Sequence, residues 1–526
     1  MELVLQGEPA TNRSTALTAP LPFRPAVVLT PVKKEQSVIV MKFGGSSVES
    51  AQAIQRVASI VRDHLSSQPV VVVSAMGKTT DRLLAIARLS AERNREASAR
   101  EFARLRNFHR AEASHLTRGS HAARLDSQVC GLFDELASVL RAVEDEGVLT
   151  PRLSDSVLSF GERLSSLIVT SAFRQTGIDA VHLDARTAIL TDGRHTQAAP
   201  LFPETNALLR RRVSRQQVTV TGGFIGATED GVTTTLGRGG SDYSAAIVGA
   251  ALAADEIQIW TDVDGMLTCD PRVIANPHCL RSISYAEAEQ LAKAGAKVLH
   301  PATVLPAIRQ GIPIAIRNSR NPSAVGTKIV NENPCDGAVL SIACRTGIAL
   351  IQLVPRSTPV TGDFGSEIWD TFQRAGISFE LIATSRREIS LVLDEADLTP
   401  GFRKRLDAIA ELEVQGGRAL ITLVGQNVSR NPSNLTRASQ RLSRINDGAV
   451  LGWCSDSRFA FILAAESLSA AADALHGEFF DQPDPAFVVP DRNSLTTPGS
   501  CARTAAFATS GSSSESGSLC RAGARC

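Results

Sequence analysis

The sequence lacks an excess of either charge: among 526 residues, 55 basic side chains face 54 acidic ones, a formal net charge of +1. That balance excludes the broad basic footprint nucleic-acid binding usually needs, so no nucleic-acid partner is expected. No apolar run reaches the roughly 18 residues that would span a bilayer, so no membrane partner is expected either, and the chain reads as soluble. The nine cysteines (Cys130, Cys269, Cys279, Cys335, Cys344, Cys454, Cys501, Cys520, Cys526) stand apart without close pairs. Neither a zinc site nor a disulfide framework is suggested, and a reducing, cytoplasmic location fits. Residues 1–36 lack an apolar core behind a basic start, and they do not read as a secretory signal. From Asp491 to Cys526, small and polar residues replace periodic apolar ones, so 1–36 and 491–526 are both expected to be disordered. What remains is ordinary for a globular protein, with 43% hydrophobic and 21% charged residues. At about 150 residues per domain, the length implies three or so domains.

The ordered part opens with an apolar run, Ser37 to Met41, that stops at Gly44-Gly45. A helix-like stretch (Val48 to Leu65) and a second apolar run (Val70 to Val73) follow. Strand, glycine turn, helix and strand begin an α/β layer whose strands are covered on both faces, which explains why they are continuously apolar. Asp81 to Val148 reads as helical and charge-rich. Further strands are expected at Ala180–Leu183, Gln217–Thr221 and Glu256–Trp260, with helices at Phe160–Gln175, Ser241–Ala253 and Ala286–Ala294. The segment closes near Asn331–Pro334. Beyond it, Ala349-Leu-Ile-Gln-Leu-Val354 recurs as Ala419-Leu-Ile-Thr-Leu-Val424, 70 residues later. After each copy come a helical stretch and two short strands, so a βαββ unit occurs twice, each followed by another helical stretch. Such units bury a face only by pairing, and two stacked repeats are expected.

Several segments have the composition of ligand loops. Gly77-Lys78-Thr79 imitates the end of a P-loop, but Val72 stands where that motif needs its first glycine. The segment still presents Ser74, Thr79, Thr80 and Asp81 at the carboxyl end of a strand, where open α/β sheets collect ligands; capping the next helix is the alternative use. Lys42-Phe-Gly-Gly-Ser-Ser47 combines an ammonium, two glycines and hydroxyls at a strand end, a combination suited to phosphate oxygens, although a plain tight turn has the same composition. Leu236-Gly-Arg-Gly-Gly-Ser-Asp242 opens directly into an apolar helix, whose N-terminus and Arg238 together suit a carboxylate or phosphate. Two anion sites in one unit suggest an anionic acceptor beside a nucleotide. Glu162, in the first turn of its helix, reads either as dipole stabilisation or as the receiver of an ammonium. Arg272 and Lys297 are within reach of phosphates or are surface charges, and His300 is taken as structural.

Together these residues resemble the aspartate kinases. The likeness is carried by Lys42-Phe-Gly-Gly-Ser-Ser-Val48, Ser74-Ala-Met-Gly-Lys-Thr-Thr-Asp81, Phe160-Gly-Glu-Arg-Leu-Ser165, Thr221-Gly-Gly-Phe-Ile-Gly226, Thr233 to Asp242, Trp260-Thr-Asp-Val263 and Gly295-Ala-Lys-Val-Leu-His-Pro301. The resemblance covers about residues 36–485. It implies an α/β amino-acid-kinase fold (a central, mainly parallel sheet flanked by helices) at 37–334, followed at 340–485 by two ACT-like βαββαβ units for allosteric control. No homoserine dehydrogenase or decarboxylase module follows, as in the monofunctional enzymes. The implied reaction is ATP plus L-aspartate to 4-phospho-L-aspartate, the entry to lysine, threonine, methionine and diaminopimelate. Mg²⁺ would be carried by ATP rather than held by a protein metal site.

The resemblance also implies roles residue by residue. Lys42 and Asp242 are catalytic, Asp242 orienting Lys42. Lys42, Gly44, Gly45, Ser46, Arg272, Lys297 and Val298 serve ATP, with Thr261 and Asp262 at its nucleoside end. Thr80, Glu162, Arg238, Gly239, Gly240 and Ser241 hold aspartate, Glu162 near the ammonium and Arg238 on the α-carboxylate. Asp363, Glu380, Thr384 and Ser385 are the effector residues, for lysine or threonine, and a homodimer through the repeats is implied. Two departures stand out: Ser46 where the family often has Thr, and Leu267 where it often has Tyr near the nucleotide. Arg386-Arg387 stand where lysine-sensitive members commonly place a carboxylate, a substitution that repels a lysine ammonium. Kinases acting on glutamate or a uridylate fit the repeats and Phe160-Gly-Glu162 less well. An inactive, amino-acid-sensing relative would be free to lose Lys42, Arg238 and Asp242.

Overall fold

A computed structural model describes residues 37–295, 301–332, 337–356, 364–385, 388–445, 450–481 and 488–489. The terminal segments 1–36 and 491–526, with Lys297, Val298, His300, Asp363, Arg386 and Arg387, lie outside the described residues.

The apolar runs Ile39–Phe43 and Pro69–Val73 are buried along their whole length. They lie at the centre of an eight-stranded sheet ordered Ala180–Leu183, Val218–Gly222, Pro69–Val73, Ile39–Phe43, Glu256–Thr261, Ile314–Asn318, Thr327–Val330, Ser282–Ser284. Neighbours run parallel except Ile314–Asn318 against Thr327–Val330. Side chains alternate across a pleat, so one strand feeds two cores. Met41, Phe43, Val71 and Val73 pack under helices Ala51–Asp63 and Phe160–Gln175. Val40, Val70, Val72, Ile257 and Ile259 pack on the other face, under helix Gly240–Leu252. That helix lies close to the sheet because it is built of small residues; a Cβ at Gly249 would meet Ile257 at 2.5 Å. The expected helical stretch after Asp81 resolves into Thr79–Ala91, Arg95–Leu116 and Ser120–Glu146. It is broken at Asn94, whose side chain accepts from Ala97 N, and at Gly119 with φ +63°.

The repeats form one antiparallel six-stranded sheet, ordered Glu380–Thr384, Ile389–Asp394, Ser341–Pro355, Ala410–Val424, Arg458–Ala464, Val450–Ser455. This corrects the stacked arrangement expected from the repeat: the units lie edge to edge. The reason is length. Ser341–Pro355 and Ala410–Val424 have 15 residues each and pair along their full span, so each strand serves both repeats.

Three contacts fasten this sheet to the first unit. Ile342 N donates to Thr268 O (2.7 Å) and Ser341 Oγ to Leu267 O (2.9 Å). Gln426 N donates to Oε1 of the buried Glu287, whose other oxygen completes the capping box of helix Tyr285–Lys293. After the last helix, Leu468–Phe480, the chain returns as Val488–Val489 to pair with Cys279–Leu280. Val488 is 1% exposed, within the core under Gly240–Leu252. Ending the chain after Asp481 removes that valine, and the loss of about 1.5–3 kcal/mol of burial should lower the thermal midpoint. Ending it after Asp491 should leave midpoint and activity as in the full chain. Equal midpoints for the two truncations would show that the returning strand contributes nothing.

Candidate active site

Parallel pairing aligns the carboxyl ends of the central strands: Phe43 stands opposite Val73 and Trp260, and Val73 opposite Gly222. The loops that leave these ends therefore interlock. Gly44 N donates to Trp260 O (3.0 Å), and Gly77 N to Gly45 O (3.0 Å). A side chain at Gly45 would press on the carbonyls of Gly77 and Ala75 at 3.0 and 3.1 Å, so the two loops approach closely where glycine stands between them. Gly239 caps helix Gly240–Leu252 at φ +71°, a left-handed conformation that glycine adopts without penalty. The glycine segment 222–223 closes on this helix end, since a Cβ at Gly223 would meet Ser241 Cα at 2.8 Å.

Into this junction project two opposed charges. Lys42 Nζ lies 2.6 Å from Asp242 Oδ1, with side-chain exposures of 11% and 16%. An ammonium so far withdrawn from water is held at the strand end by its carboxylate partner. Glu162 is more deeply buried, and its Oε1 accepts from Ala75 N (3.1 Å). Its Oε2 is buried without a hydrogen-bond partner among the described residues. Burial pushes its carboxyl up to about 8, against the opposing pull of the Ala75 N–H, its own backbone N–H and the Lys42 charge. A buried carboxylate with one free oxygen, facing an ammonium-lined loop, is suited to a cation that arrives with a ligand.

The other expected residues fall around this pair. Ser46 is half-buried on the glycine turn and Thr80 lies in the first turn of helix Thr79–Ala91. Ser241 and Gly240 open helix Gly240–Leu252, and Arg238 is exposed just before it, without an ion pair among the described residues. Thr261 and Asp262 border a cavity of about 330 Å³ that also meets Leu267, Pro271 and Arg272. Arg272 is engaged there by Asp270 through two parallel bonds (Nε to Oδ1 3.0 Å, Nη2 to Oδ2 2.6 Å). Leu267 gives this cavity an aliphatic wall. One hydroxyl beside the strand ends, that of Ser319, carries no role in the sequence reading: it is hydrogen-bonded to Ser47 Oγ (2.7 Å), and whichever of the two does not donate there is left to donate to a strand-end carbonyl, Trp260 O for Ser47 or Thr261 O for Ser319. Ser319 directly follows a strand that ends in a polar run, Arg317-Asn-Ser-Arg320, which was the available signal.

Of the effector residues, Glu380, Thr384 and Ser385 are described, on the strand Glu380–Thr384 and in the turn that follows it. Glu380 accepts from Arg345 Nη1 (3.3 Å) and pairs with Arg458 Nη2 (3.4 Å), so its charge is already matched within the chain. Ser385 is occupied with Glu388 in a local turn, and Thr384 is exposed.

Comparison with known proteins agrees with this geometry. Residues 37–318 match the Amino acid kinase family. The lysine-sensitive aspartokinase 3 of Escherichia coli (strain K12) is 32% identical over 466 residues, 84% of this chain and 99% of that protein. Crystal structures of E. coli aspartokinase III with lysine and aspartate (T-state) and with aspartate and ADP (R-state) superpose with TM-scores of 0.73 and 0.71. Both are 30% identical to this chain and cover 84% of it.

Glu162 gives this site a stability signature. Its folded pKa is raised, so its destabilising ionisation is absent below the ordinary carboxyl range and grows as pH rises from there through about 8. Glu162→Gln should therefore gain thermal stability over wild type at pH 8.5 relative to pH 5. A midpoint difference that stays constant with pH would contradict the burial argument.

Proposed function

We infer the mechanism of this chain from the premise that it belongs to the aspartokinase family and is an aspartate kinase, transferring a phosphoryl group from ATP to the β-carboxylate of L-aspartate. The observation that carries the residue assignment is the buried, half-satisfied Glu162 carboxylate beside the Lys42–Asp242 pair. We assign Glu162 to the substrate ammonium and Arg238 to its α-carboxylate, with Thr80, Gly239, Gly240 and Ser241 closing around the rest. The β-carboxylate is its own nucleophile, so no residue need remove a proton. Lys42, kept in place by Asp242, neutralises charge on the transferring group, and the N–H groups of Gly45 and Ser46 bind the phosphates, while Gly44, its own N–H bonded to Trp260 O, lets the backbone approach them. Thr261, Asp262, Arg272, Lys297 and Val298 are assigned to the rest of the nucleotide.

Among the described residues no three His, Cys, Asp or Glu side chains gather as metal ligands. We therefore assign Mg²⁺ to the nucleotide's phosphate oxygens, where it supplies further charge neutralisation. Among the described residues no helix is long and apolar enough to cross a membrane, and the described cysteines are free, which supports a cytoplasmic setting. A homodimer through the repeats is supported by the exposed Trp369 (60%) on the helix Phe364–Ala375 and Leu381 (45%) on the strand Glu380–Thr384.

The catalytic assignment separates kinetically. Lys42→Ala should lower kcat on the order of a hundredfold or more with a small change in the KM for aspartate. Arg238→Ala should raise that KM on the order of tenfold to a hundredfold, the loss of a charge-assisted contact. Because Glu162 must ionise to receive an ammonium, kcat/KM for aspartate should climb with pH and level off above about 8. Exchanged kinetic effects, or a flat pH profile, would overturn the roles.

The effector is a small aspartate-family amino acid bound at the repeats. With Glu380 matched by Arg345 and Arg458, and arginines at 386 and 387, we propose that lysine inhibits weakly. Arg386→Glu should strengthen lysine inhibition in a titration of initial rates; unchanged or weaker inhibition refutes the electrostatic argument.

A further inference from the structure

The most completely engaged buried carboxylate near the site has no part in the mechanism above. Asp155 lies on helix Pro151–Leu158 with its side chain fully buried. Three groups from two other segments converge on it. His195 Nδ1 donates to Oδ2 (2.8 Å) and Thr235 Oγ1 donates to Oδ1 (2.6 Å). Thr196 N donates to both oxygens (3.1 and 3.0 Å). Thr196 holds a φ of +70°, a conformation uncommon outside glycine, and in it its N–H reaches the carboxylate.

Each partner leads to the substrate site. Thr235 ends the strand Thr233–Thr235, three residues before Arg238, and Ala198 N donates to Thr235 O (2.9 Å). The Thr196 carbonyl packs on Gly237, where a Cβ would meet it at 3.1 Å. Asp155 thus fixes the strand and the turn from which Arg238 departs. On its other side, helix Pro151–Leu158 runs into helix Phe160–Gln175 with hardly a break. Ser159 at the joint is itself helical, with its N–H bonded to Asp155 O (3.0 Å) and its carbonyl accepting from Arg163 N (3.1 Å). Asp155 and Glu162 are seven residues apart, so they share one helix face about 10 Å apart along the axis.

We propose that Asp155 is a positioning residue that sets the separation between Glu162 and Arg238, and through it the length of amino-acid substrate the enzyme accepts. The inference rests on the roles assigned to Glu162 and Arg238 above. A free α-amino acid offers an ammonium and an α-carboxylate at fixed spacing. Gripping both correctly decides where the side-chain carboxylate ends, and one methylene of error carries it away from the phosphoryl group. A carboxylate that accepts from three donors cannot be replaced by an amide without turning an N–H₂ toward another donor.

Asp155→Asn should raise the KM for aspartate at least tenfold, leave kcat within about threefold and the KM for ATP within about twofold, and narrow the preference for aspartate over glutamate. Thr235→Val should act in the same direction, and Thr235→Ser, which keeps the hydroxyl, should restore near wild-type values. A purely structural role predicts instead a lower thermal midpoint with an unchanged KM and unchanged aspartate-to-glutamate preference, and that result overturns the proposal. So does equal KM in Thr235→Val and Thr235→Ser. If Asp155→Asn fails to fold, the Thr235 pair decides alone. Arg238→Ala, measured in parallel, separates the two layers. A raised aspartate KM there, with Asp155→Asn like wild type, overturns this inference only. An unchanged KM in Arg238→Ala overturns the site reading and this inference with it.

Discussion

The chemistry of this chain depends on one parallel register. Phe43 opposite both Val73 and Trp260, with Val73 opposite Gly222, sets four strand ends along a single edge at spacings of about 5 Å. Nothing else in the fold brings Lys42, Ser74, Gly222 and Thr261 together, since their sequence separations exceed anything a local turn can span. The register is set by burial. The strand Pro69–Val73 sends Val71 and Val73 to one core and Val70 and Val72 to the other, its neighbours feed the same two cores, and a slip by one residue would exchange the two sets. The stability of the two cores therefore fixes the geometry of the loops that contribute no burial of their own.

Placing charges at that edge is costly, and the arrangement limits the cost selectively. Lys42 is withdrawn from solvent but matched by Asp242, so it remains a stable point charge. Glu162 is buried with one oxygen bonded and the other bare, so it is held at a disadvantage until a cation arrives. The two groups thus differ in kind: on the roles proposed above, one is prepared for the anionic end of the reaction in advance, and the other is completed by the substrate. Asp155 is the third case, a buried carboxylate with every bond supplied from within the chain, and such a group orders structure rather than binding a ligand.

How much of this was legible in the sequence follows from how local each feature is. The glycine turns at 44–45 and 239–240, the apolar strands and the helix Phe160–Gln175 are written in contiguous residues, and they could be read directly. Several short elements escaped. Ser282–Ser284 is an edge strand and Thr327–Val330 lies beside it, both of few, partly polar residues, and helix Phe202–Arg212 ends in three arginines, so none of these has a clear apolar period. Asp155 escaped because its partners are 40, 41 and 80 residues away. The pairing of Glu380 with Arg345 and Arg458 escaped for the same reason, and it is what changes the effector argument. The edge-to-edge sheet was hidden in strand length: a repeat of six residues does not disclose that each strand continues to 15.

The same long strands bear on how a signal can travel. Ser341–Pro355 begins at the nucleotide-side loop, bonded to Leu267 and Thr268, and ends deep in the sheet formed by both repeats. Residues 348–353 of this strand are paired on both edges and move as one piece, while register shifts around Gly347 (φ +69°) separate them from residues 341 and 342, so a shift imposed at the repeats reaches the loop through that irregularity. The bonds at stake there are two, each contributing about 1 kcal/mol net. Their combined loss would be about 2 kcal/mol, within the range of 1–3 kcal/mol in which coupling between distant sites usually falls. The contact itself is of the right size, and the loop it would disturb borders the cavity formed by Thr261, Asp262 and Arg272.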